Sequence, residues 1–257
     1  MTVMPLIAHL SDPHITTGPL AAAPASGLYR ALTRVLALEP LPDCVVITGD
    51  LVDRGRDAEY AELLDLISQY PIPIHPVAGN HDAKGALLRA FQRTETTYLA
   101  EYAEFSIVAL DSLSPGLGDA GLLGEEQLAW LDATLQATDG KPAFVCLHHP
   151  PIRVGIPGMD AIRLVDGPGL AEVLRKHPHV TRVLAGHLHR VVTAGFAGTV
   201  LSVAPSTYRQ VDLNFRENRP VAFVDEPGGF LLHRLEGTEC VTHLVPTSHT
   251  GAPLAAY

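Results

Sequence analysis

Polar side chains that can bind metal ions follow five apolar segments of this 257-residue chain. They are Asp12 and His14, Asp50, Asn80 and His81, His148 and His149, and His187 and His189. The set combines carboxylate, amide and imidazole donors without a thiolate, which suits Mn, Fe, Zn or Co better than a structural zinc site. The sequence therefore predicts a metal site assembled from distant parts of the chain.

The number of candidate ligands exceeds what one ion needs. We expect two ions, divalent or of mixed valence, and Asp50 is the natural carboxylate to bridge them. Two ions about 3.5–4 Å apart can generate a hydroxide nucleophile and hold the oxygens of a phosphoryl group. Because two divalent ions outweigh the negative charge of Asp12, Asp50 and a bridging hydroxide, the site would attract an anionic phosphate ester.

Apolar strands alternating with amphipathic helices must position these ligands. The strands predicted directly before the ligand segments span Leu6–Leu10, Cys44–Thr48, 72–78, 143–147 and Val180–Ala185, and helices are predicted over 28–38 (with Ser26 as N-cap), Asp57–Ser68, 125–136 and 169–176. This alternation predicts a largely parallel sheet, at whose carboxyl edge ligands bind. Residues two apart on an extended segment point the same way, so Asp12 with His14, and His187 with His189, should each converge on one point.

The predicted strands follow one another without a linker, so we expect one domain over residues 1–246. Residues 191–203, 221–225 and 230–245 read as β-hairpins, and this β-rich third could form a homodimer interface. Residues 247–257 are small and polar, which predicts a flexible C-terminal tail.

Charge and composition exclude several classes of partner. The net charge is −10 and basic residues form no cluster, which argues against a nucleic-acid polymer. Neither a secretory signal nor an apolar run of membrane-spanning length is present, which predicts a cytoplasmic protein without a membrane partner. Cys44, Cys146 and Cys240 form no CxxC pair and are predicted to be buried free thiols.

Five motifs in order resemble those of the calcineurin-like metallophosphoesterase superfamily. As they stand here they are Ser11-Asp12-Pro13-His14, Gly49-Asp50-Leu51-Val52-Asp53-Arg54-Gly55, Gly79-Asn80-His81-Asp82, His148-His149-Pro150-Pro151 and Gly186-His187-Leu188-His189. Within this superfamily the whole chain is similar to class III cyclic nucleotide phosphodiesterases and to bacterial glycerophosphodiesterases. Residues 204–210 are similar to a loop of that group.

The resemblance implies a fold and a role for each residue of the motifs. The fold would be an α/β, four-layer α/β/β/α sandwich of two mixed sheets. Asp12, His14, Asp50 and His189 would hold the first metal, and Asp50, Asn80, His148 and His187 the second. His148 is preferred over His149 because the family pattern is His-any-Pro; His149 would then lie beside the ligands or face the substrate. His81 would bind no metal and would act on the phosphoryl group and the leaving oxygen.

Several alternatives stay open at this point. Asp53 or Asp82 could orient His81, although Asp53 could instead pair with Arg54, and Asp82 could cap a helix. The other histidines are assigned to structural positions in the core or on the surface: His9, His75, His177, His179, His233, His243 and His249.

The substrate is the least determined part of the prediction. A small phosphodiester is expected, with 3′,5′-cyclic AMP as the leading candidate on the basis of the resemblance. A glycerophosphodiester, a broad range of phosphodiesters or a phosphomonoester are the alternatives, and a non-catalytic metal-binding scaffold is the remote one. Residues expected to line the pocket are Arg153, Met159, Arg163, Tyr208 and Arg209.

Overall fold

Two mixed β-sheets face one another in the computed structural model, which describes residues 4–247. The strands are β1 (Leu6–Leu10), β2 (Cys44–Thr48), β3 (Ile74–Val77), β4 (Tyr98–Glu101), β5 (Ser106–Ala109), β6 (Ala143–Cys146), β7 (Val180–Ala185), β8 (Val192–Phe196), β9 (Thr199–Val203), β10 (Gln210–Val211), β11 (Phe223–Val224), β12 (Gly229–Glu236) and β13 (Glu239–Pro246). The helices are α1 (Ala22–Leu36), α2 (Asp57–Ser68), α3 (Lys84–Ala90), α4 (Gly124–Ala137), α5 (Pro157–Asp160) and α6 (Gly167–Leu174).

Each sheet combines a run of parallel strands with antiparallel strands at one edge or at both. The first has the order β13-β12-β1-β2-β3, in which β1, β2 and β3 are parallel. The second has the order β4-β5-β6-β7-β9-β8, in which β5, β6, β7 and β9 are parallel. A separate antiparallel pair joins β10 to β11.

Three hydrophobic cores separate four layers. Ile7, Val46, Phe144 and Leu184 belong to the inner core, which fills the space between the sheets. Alternate residues of the same strands enter two outer cores, where α1, α2 and α3 cover the first sheet and α4, α5 and α6 cover the second. This period of two follows from the pleat of a strand that is buried on both faces. The predicted four-layer sandwich of two mixed sheets is therefore confirmed.

Helix α1 begins earlier than the sequence pattern predicts. It starts at Ala22, so Ser26 lies inside the helix, where its hydroxyl accepts a hydrogen bond from Arg30, and the predicted N-cap role of Ser26 is wrong. Alanine is the strongest helix former, and proline is tolerated in the first turn, which explains why the segment around Pro24 is helical. The short elements α5, β10 and β11 have too few residues for a periodic pattern. Of the three, only β11 was predicted, as part of a strand over residues 221–225.

The C-terminal segment and the three cysteines bear on two further predictions. Thr247 is buried and its amide donates to the carbonyl of Gly228, whereas residues 248–257 of the predicted tail, including His249, lie outside the described residues. Cys44 and Cys146 are buried free thiols of the inner core, and Cys240 is a partly buried free thiol. Among the described residues, no helix combines the length and the apolar character needed to cross a membrane.

Candidate metal centre

The carboxyl ends of β1, β2, β3, β6 and β7 meet at one edge of the sandwich. Backbone hydrogen bonds join the ends within each sheet, from Asp12 N to Gly49 O at 3.1 Å and from Gly186 N to His148 O at 3.0 Å. The amide of His187 crosses between the sheets and donates to Asp12 Oδ2 at 3.1 Å. This junction brings ligand candidates from both sheets into one buried site.

One group of donors consists of Asp12, His14, Asp50 and His189, whose ligand atoms lie within 4.8 Å of one another. His14 Nε2 is 3.1 Å from His189 Nε2 and 3.4 Å from Asp50 Oδ2. His189 Nε2 is 3.5 Å from Asp12 Oδ1. All four residues are buried. They are the same four residues that the resemblance assigns to the first metal.

A second group lies on the other side of the Asp50 carboxylate. His148 Nε2 is 3.4 Å from Asp50 Oδ1, 3.0 Å from Asn80 Oδ1 and 3.1 Å from His187 Nδ1. Asp50 thus directs one oxygen to each group. This is the arrangement expected if its carboxylate bridges two ions.

The protonation of the imidazoles fits cation binding. His148 Nδ1 and His189 Nδ1 lie 2.7 and 2.9 Å from the carbonyl oxygens of Thr48 and Arg209, to which they can only donate. Burial lowers the pKa of both rings, which favours the neutral form, in which Nε2 carries a lone pair directed into the site. The lone pairs of these Nε2 atoms repel the lone pairs of the neighbouring ligand atoms unless a cation lies between them.

The carboxylates provide the charge for such a cation. Burial, together with the charge of Asp50, holds the pKa of Asp12 well above its usual range. Burial acts in the same direction on Asp50, but the neighbouring His148 and His14 outweigh it and lower the pKa of Asp50. A metal ion would offset the cost of two buried carboxylates at close range.

Five of the candidate ligands adopt left-handed backbone conformations. Their φ angles are 50° at Asp12, 46° at His14, 49° at Asp50, 69° at His187 and 47° at His189. Such residues cost of order 1–3 kcal/mol each and accumulate at functional sites. The segments are therefore not extended, and the predicted convergence of His187 with His189 is wrong: His187 lies with His148, and His189 lies with His14.

Gly186 lies where any side chain would enter the site. A Cβ on this residue would lie 2.5 Å from Thr48 O, 3.0 Å from Asp12 Oδ2 and closer still to Ser11 Oγ. We expect Gly186→Ala to lower the free energy of unfolding by about 1–3 kcal/mol through overpacking and to weaken metal binding. Urea unfolding and metal analysis test this, with Gly195→Ala as control because a Cβ there meets no atom within 4 Å. Full metal content in Gly186→Ala would contradict it.

His149 is not free to bind an ion, although it lies near His148 and His187. Its Nδ1 lies 2.8 Å from Ser112 Oγ, and its Nε2 lies 3.0 Å from the carbonyl of Asp119. Both nitrogens are therefore engaged within the protein, and the ring packs 4.7 Å from that of His187. This geometry supports the choice of His148 as the ligand.

His81 lies exposed at the mouth of the site. Its Nδ1 is 2.7 Å from the backbone carbonyl of Asp53, which leaves Nε2 available to another partner. Burial lowers the pKa of His81, but the charge of Asp50 and the Asp53 carbonyl outweigh it and raise the value. Asp53 therefore orients His81 through its backbone, while its carboxylate lies 3.5 Å from His14 Nδ1 and 3.4 Å from Arg54.

Asp82 forms no hydrogen bond with the His81 ring in the described part of the chain, and it does not cap α3. Its carboxylate accepts hydrogen bonds from the amides of Leu51 and Gly79 at 3.1 and 2.9 Å and from the Tyr60 hydroxyl at 2.9 Å. Burial, followed by the charge of Asp50, raises its pKa to about 7. Asp82 thus ties the loop after β2 to the loop after β3 and fixes the ligands on both.

The residues expected to line a substrate pocket differ in position. Arg209 lies beside the metal centre, since its carbonyl binds His189, and its guanidinium lies 3.9 Å from the ring centre of Phe223. Arg153 pairs with Asp160 at the surface. Met159 is 5% exposed and belongs to an outer core, so its predicted place in the pocket is wrong.

Sequence reasoning missed the groups that orient the ligands. Two of these are the carbonyls of Thr48 and Arg209, and a third is Ser206, whose hydroxyl donates to Asp12 O at 2.7 Å. Backbone carbonyls carry no residue signature, so no sequence signal could have identified the first two.

The model of the calcineurin-like phosphoesterase family matches residues 5–191. A probable glycerophosphodiester phosphodiesterase of Arcobacter nitrofigilis is 33% identical over 240 residues, which cover 89% of this chain and 88% of that protein. A probable cyclic nucleotide phosphodiesterase of Synechococcus sp. is 35% identical over 212 residues, covering 80% and 82%.

Among solved structures, a dimetal phosphatase from Danio rerio matches with a TM-score of 0.68 at 18% identity. The match covers 95% of this chain and 99% of that one, and it bears on the fold alone. The family match spans every ligand segment of the site. The chain therefore belongs to the calcineurin-like phosphoesterase family and is a metal-dependent phosphoester hydrolase.

Proposed function

We propose that the protein is a two-metal phosphodiesterase that hydrolyses a small phosphodiester, with 3′,5′-cyclic AMP as the leading substrate. The observation that carries the two-metal assignment is the position of Asp50, whose two oxygens lie 3.4 Å from ring nitrogens of separate donor groups. The substrate class rests on the relatives, because the phosphodiesterases of Arcobacter nitrofigilis and Synechococcus sp. cover most of this chain.

Asp12, His14, Asp50 and His189 would hold one ion, and Asp50, Asn80, His148 and His187 the other. Divalent Mn, Fe, Zn or Co fits this mixed oxygen and nitrogen donor set. When bound, such ions supply an activated water and neutralise the charge of the phosphoryl oxygens.

The protein itself contributes orientation and proton transfer. The carbonyls of Thr48 and Arg209 hold the ligand imidazoles in the required tautomer. His81, held by the carbonyl of Asp53, presents Nε2 to a bound phosphodiester, where its proton can reach the leaving oxygen.

The direct test uses metal-free protein restored with Mn²⁺. Turnover is measured for cyclic AMP, for bis(p-nitrophenyl) phosphate and for glycerophosphocholine. Selective turnover of cyclic AMP is the expected result. Turnover of the chromogenic diester alone would retain the phosphodiesterase assignment and reject cyclic AMP as substrate.

A glycerophosphodiester is the second candidate substrate. It is favoured by the similarity to the Arcobacter nitrofigilis protein, which extends over 89% of this chain. Preferential turnover of glycerophosphocholine in the same assay would select it. Failure to hydrolyse any diester, with metal bound, would instead point to phosphomonoesters.

Removal of the metal ions is expected to destabilise the protein. Ions present at about 1,000 times their dissociation constant add about 4 kcal/mol to the free energy of unfolding, so chelation should lower Tm by about 10 °C in a chain of this size.

Metal affinity should rise with pH, because protons compete for Asp12, whose pKa is raised by burial and by Asp50. Below that raised pKa the protonated carboxyl no longer binds the ion. Calorimetric titration at several pH values measures the effect, and a pH-independent affinity would contradict it.

A further inference from the structure

A chain of hydrogen bonds runs through the inner core behind the metal centre. It begins at Thr242 on β13, passes through His233 on β12 and His9 on β1, and reaches Thr48 and Ser11 at the ends of β2 and β1. Apart from Thr242, which is partly buried, these side chains have no exposed surface. The chain therefore connects an edge strand with the innermost side of the ligand segments.

Four contacts make up the chain. Thr242 Oγ1 lies 2.9 Å from His233 Nδ1, and His233 Nε2 lies 3.4 Å from His9 Nδ1. His9 Nε2 lies 2.9 Å from Thr48 Oγ1, which lies 2.8 Å from Ser11 Oγ. Each contact is within hydrogen-bonding distance, and no ring nitrogen of His9 or His233 is left without a partner.

One order of protons satisfies all of these contacts. In it, Ser11 Oγ donates to the carbonyl of Thr48 at 3.2 Å, and the hydroxyl proton of Thr48 goes to Ser11. His9 then donates to Thr48 through Nε2, and its Nδ1 accepts from His233.

The remaining step in the order concerns His233. Because its Nε2 donates to His9, its Nδ1 accepts the proton of Thr242. Both rings are neutral in this arrangement. Burial agrees with it, since it lowers the pKa of His9 to about 3 and that of His233 well below the usual value.

Two imidazoles are unusual in this core. Ile7 pairs with His233 and Val46 pairs with His9 across neighbouring strands, and the ring of Phe144 lies beside that of His233. A buried polar group in such apolar surroundings is destabilising unless it has a hydrogen-bond partner. Apolar side chains would fill the same space without that requirement. A role beyond packing is therefore indicated.

The inner end of the chain contacts the ligand segments directly. The carbonyl of Thr48 accepts the Nδ1 proton of His148 at 2.7 Å. A Cβ on Gly186 would meet Ser11 Oγ, Thr48 O and Asp12 Oδ2 together, so these three atoms border one small space. A shift of the Thr48 or Ser11 hydroxyl would therefore change the positions of the His148 and Asp12 side chains.

We propose that His9 and His233 are positioning residues which, through Thr48 and Ser11, fix the orientation of His148 and Asp12 in the metal centre. The inference rests on the proposed function in that it requires metal at this site. It concerns metal affinity and coordination, and not the identity of the substrate.

The first test compares His9→Phe with His9→Gln. Phenylalanine keeps the bulk of the ring and removes both hydrogen bonds, and the Co²⁺ dissociation constant should rise about 10–100-fold, as is usual when a partner that orients a metal ligand is lost. Glutamine can donate to Thr48 and accept from His233, so it should restore most of the affinity. Loss of affinity in both variants to the same extent would overturn the proposal.

A matched control separates positioning from loss of a buried imidazole in general. His75 on β3 is also buried and binds the hydroxyl of Tyr102 at 2.7 Å, but it is not part of the chain. His75→Phe should leave the Co²⁺ affinity and the Co²⁺ absorption spectrum unchanged. A change equal to that of His9→Phe would overturn the proposal.

A double-mutant cycle with Thr48→Val tests whether His9 acts on the metal centre through the Thr48 hydroxyl. Valine has the shape of threonine and keeps the backbone carbonyl, so Thr48→Val alone tests this route even if His9→Phe does not fold. Thr48→Val alone should weaken Co²⁺ binding, and adding His9→Phe should weaken it no further. Wild-type affinity in Thr48→Val, or losses that add in the double variant, would overturn the proposal. Two bound Co²⁺ ions in a wild-type protein without diesterase activity would reject the proposed function but not this inference.

Discussion

Asp50→Asn is expected to lower the diesterase kcat about 1,000-fold and to reduce the metal content below two ions per chain. The Asp50 oxygens lie 3.4 Å from His14 Nε2 on one side and from His148 Nε2 on the other. Asparagine keeps an acceptor for the amide of His81, which lies 2.9 Å from Asp50 Oδ1, but it removes the charge that two ions would share. Loss of several kcal/mol of metal-assisted stabilisation corresponds to this change in rate.

The measurement is metal analysis by mass spectrometry, together with kcat for bis(p-nitrophenyl) phosphate. Asp57→Asn is the matched control, because its carboxylate is 75% exposed and pairs with Arg89 at the surface, where such pairs contribute little. It should bind two ions and keep its activity. If Asp50→Asn retains two ions at unchanged affinity, Asp50 is not the bridge.

The clustering of the candidate ligands could be predicted from the sequence because its cause is local. Each candidate ligand lies within a few residues of the end of an apolar strand, as Asp50 does after Cys44–Thr48, and parallel strands place their carboxyl ends at one edge. The bounds of β1, β2, β7 and α2 were predicted to the residue for the same reason. A continuous apolar or amphipathic run with polar residues at both ends leaves few alternatives.

The direction of each side chain could not be predicted in this way. The left-handed backbone at His187 and His189 sends the two rings into different donor groups, and it depends on contacts with the other sheet. One such contact is the hydrogen bond from His187 N to Asp12, 175 residues apart in sequence. Because non-glycine residues rarely adopt positive φ, an extended conformation was the natural expectation.

The same limit applies to residues whose partners are remote. His9 and His233 are 224 residues apart and meet only because β1 pairs with β12. Each histidine alone carries the pattern of an ordinary core residue. The prediction for Met159 was wrong for a different reason, since its place in the segment after Pro151 suggested the substrate pocket, whereas the fold buries it in an outer core.

His81→Ala is expected to distinguish substrates by their leaving groups. The ring is fixed by the carbonyl of Asp53 at 2.7 Å and lies 4.7 Å from the ring of His14, and the proposed function places its free nitrogen next to a bound phosphodiester. A positioned general acid contributes about 10²–10⁴-fold to a rate. That contribution matters most for an alkoxide, which is a strong base, and least for p-nitrophenolate, which leaves without a proton.

We therefore expect kcat for cyclic AMP to fall about 10²–10⁴-fold in His81→Ala, and kcat for bis(p-nitrophenyl) phosphate to fall much less. The alanine variant keeps the backbone amide that binds Asp50, so its metal content should not change. His243→Ala, at an exposed position of β13, is the control and should hydrolyse both substrates normally. Equal losses on both substrates would show that His81 stabilises the phosphoryl charge without donating a proton, because only proton transfer depends on the basicity of the leaving oxygen.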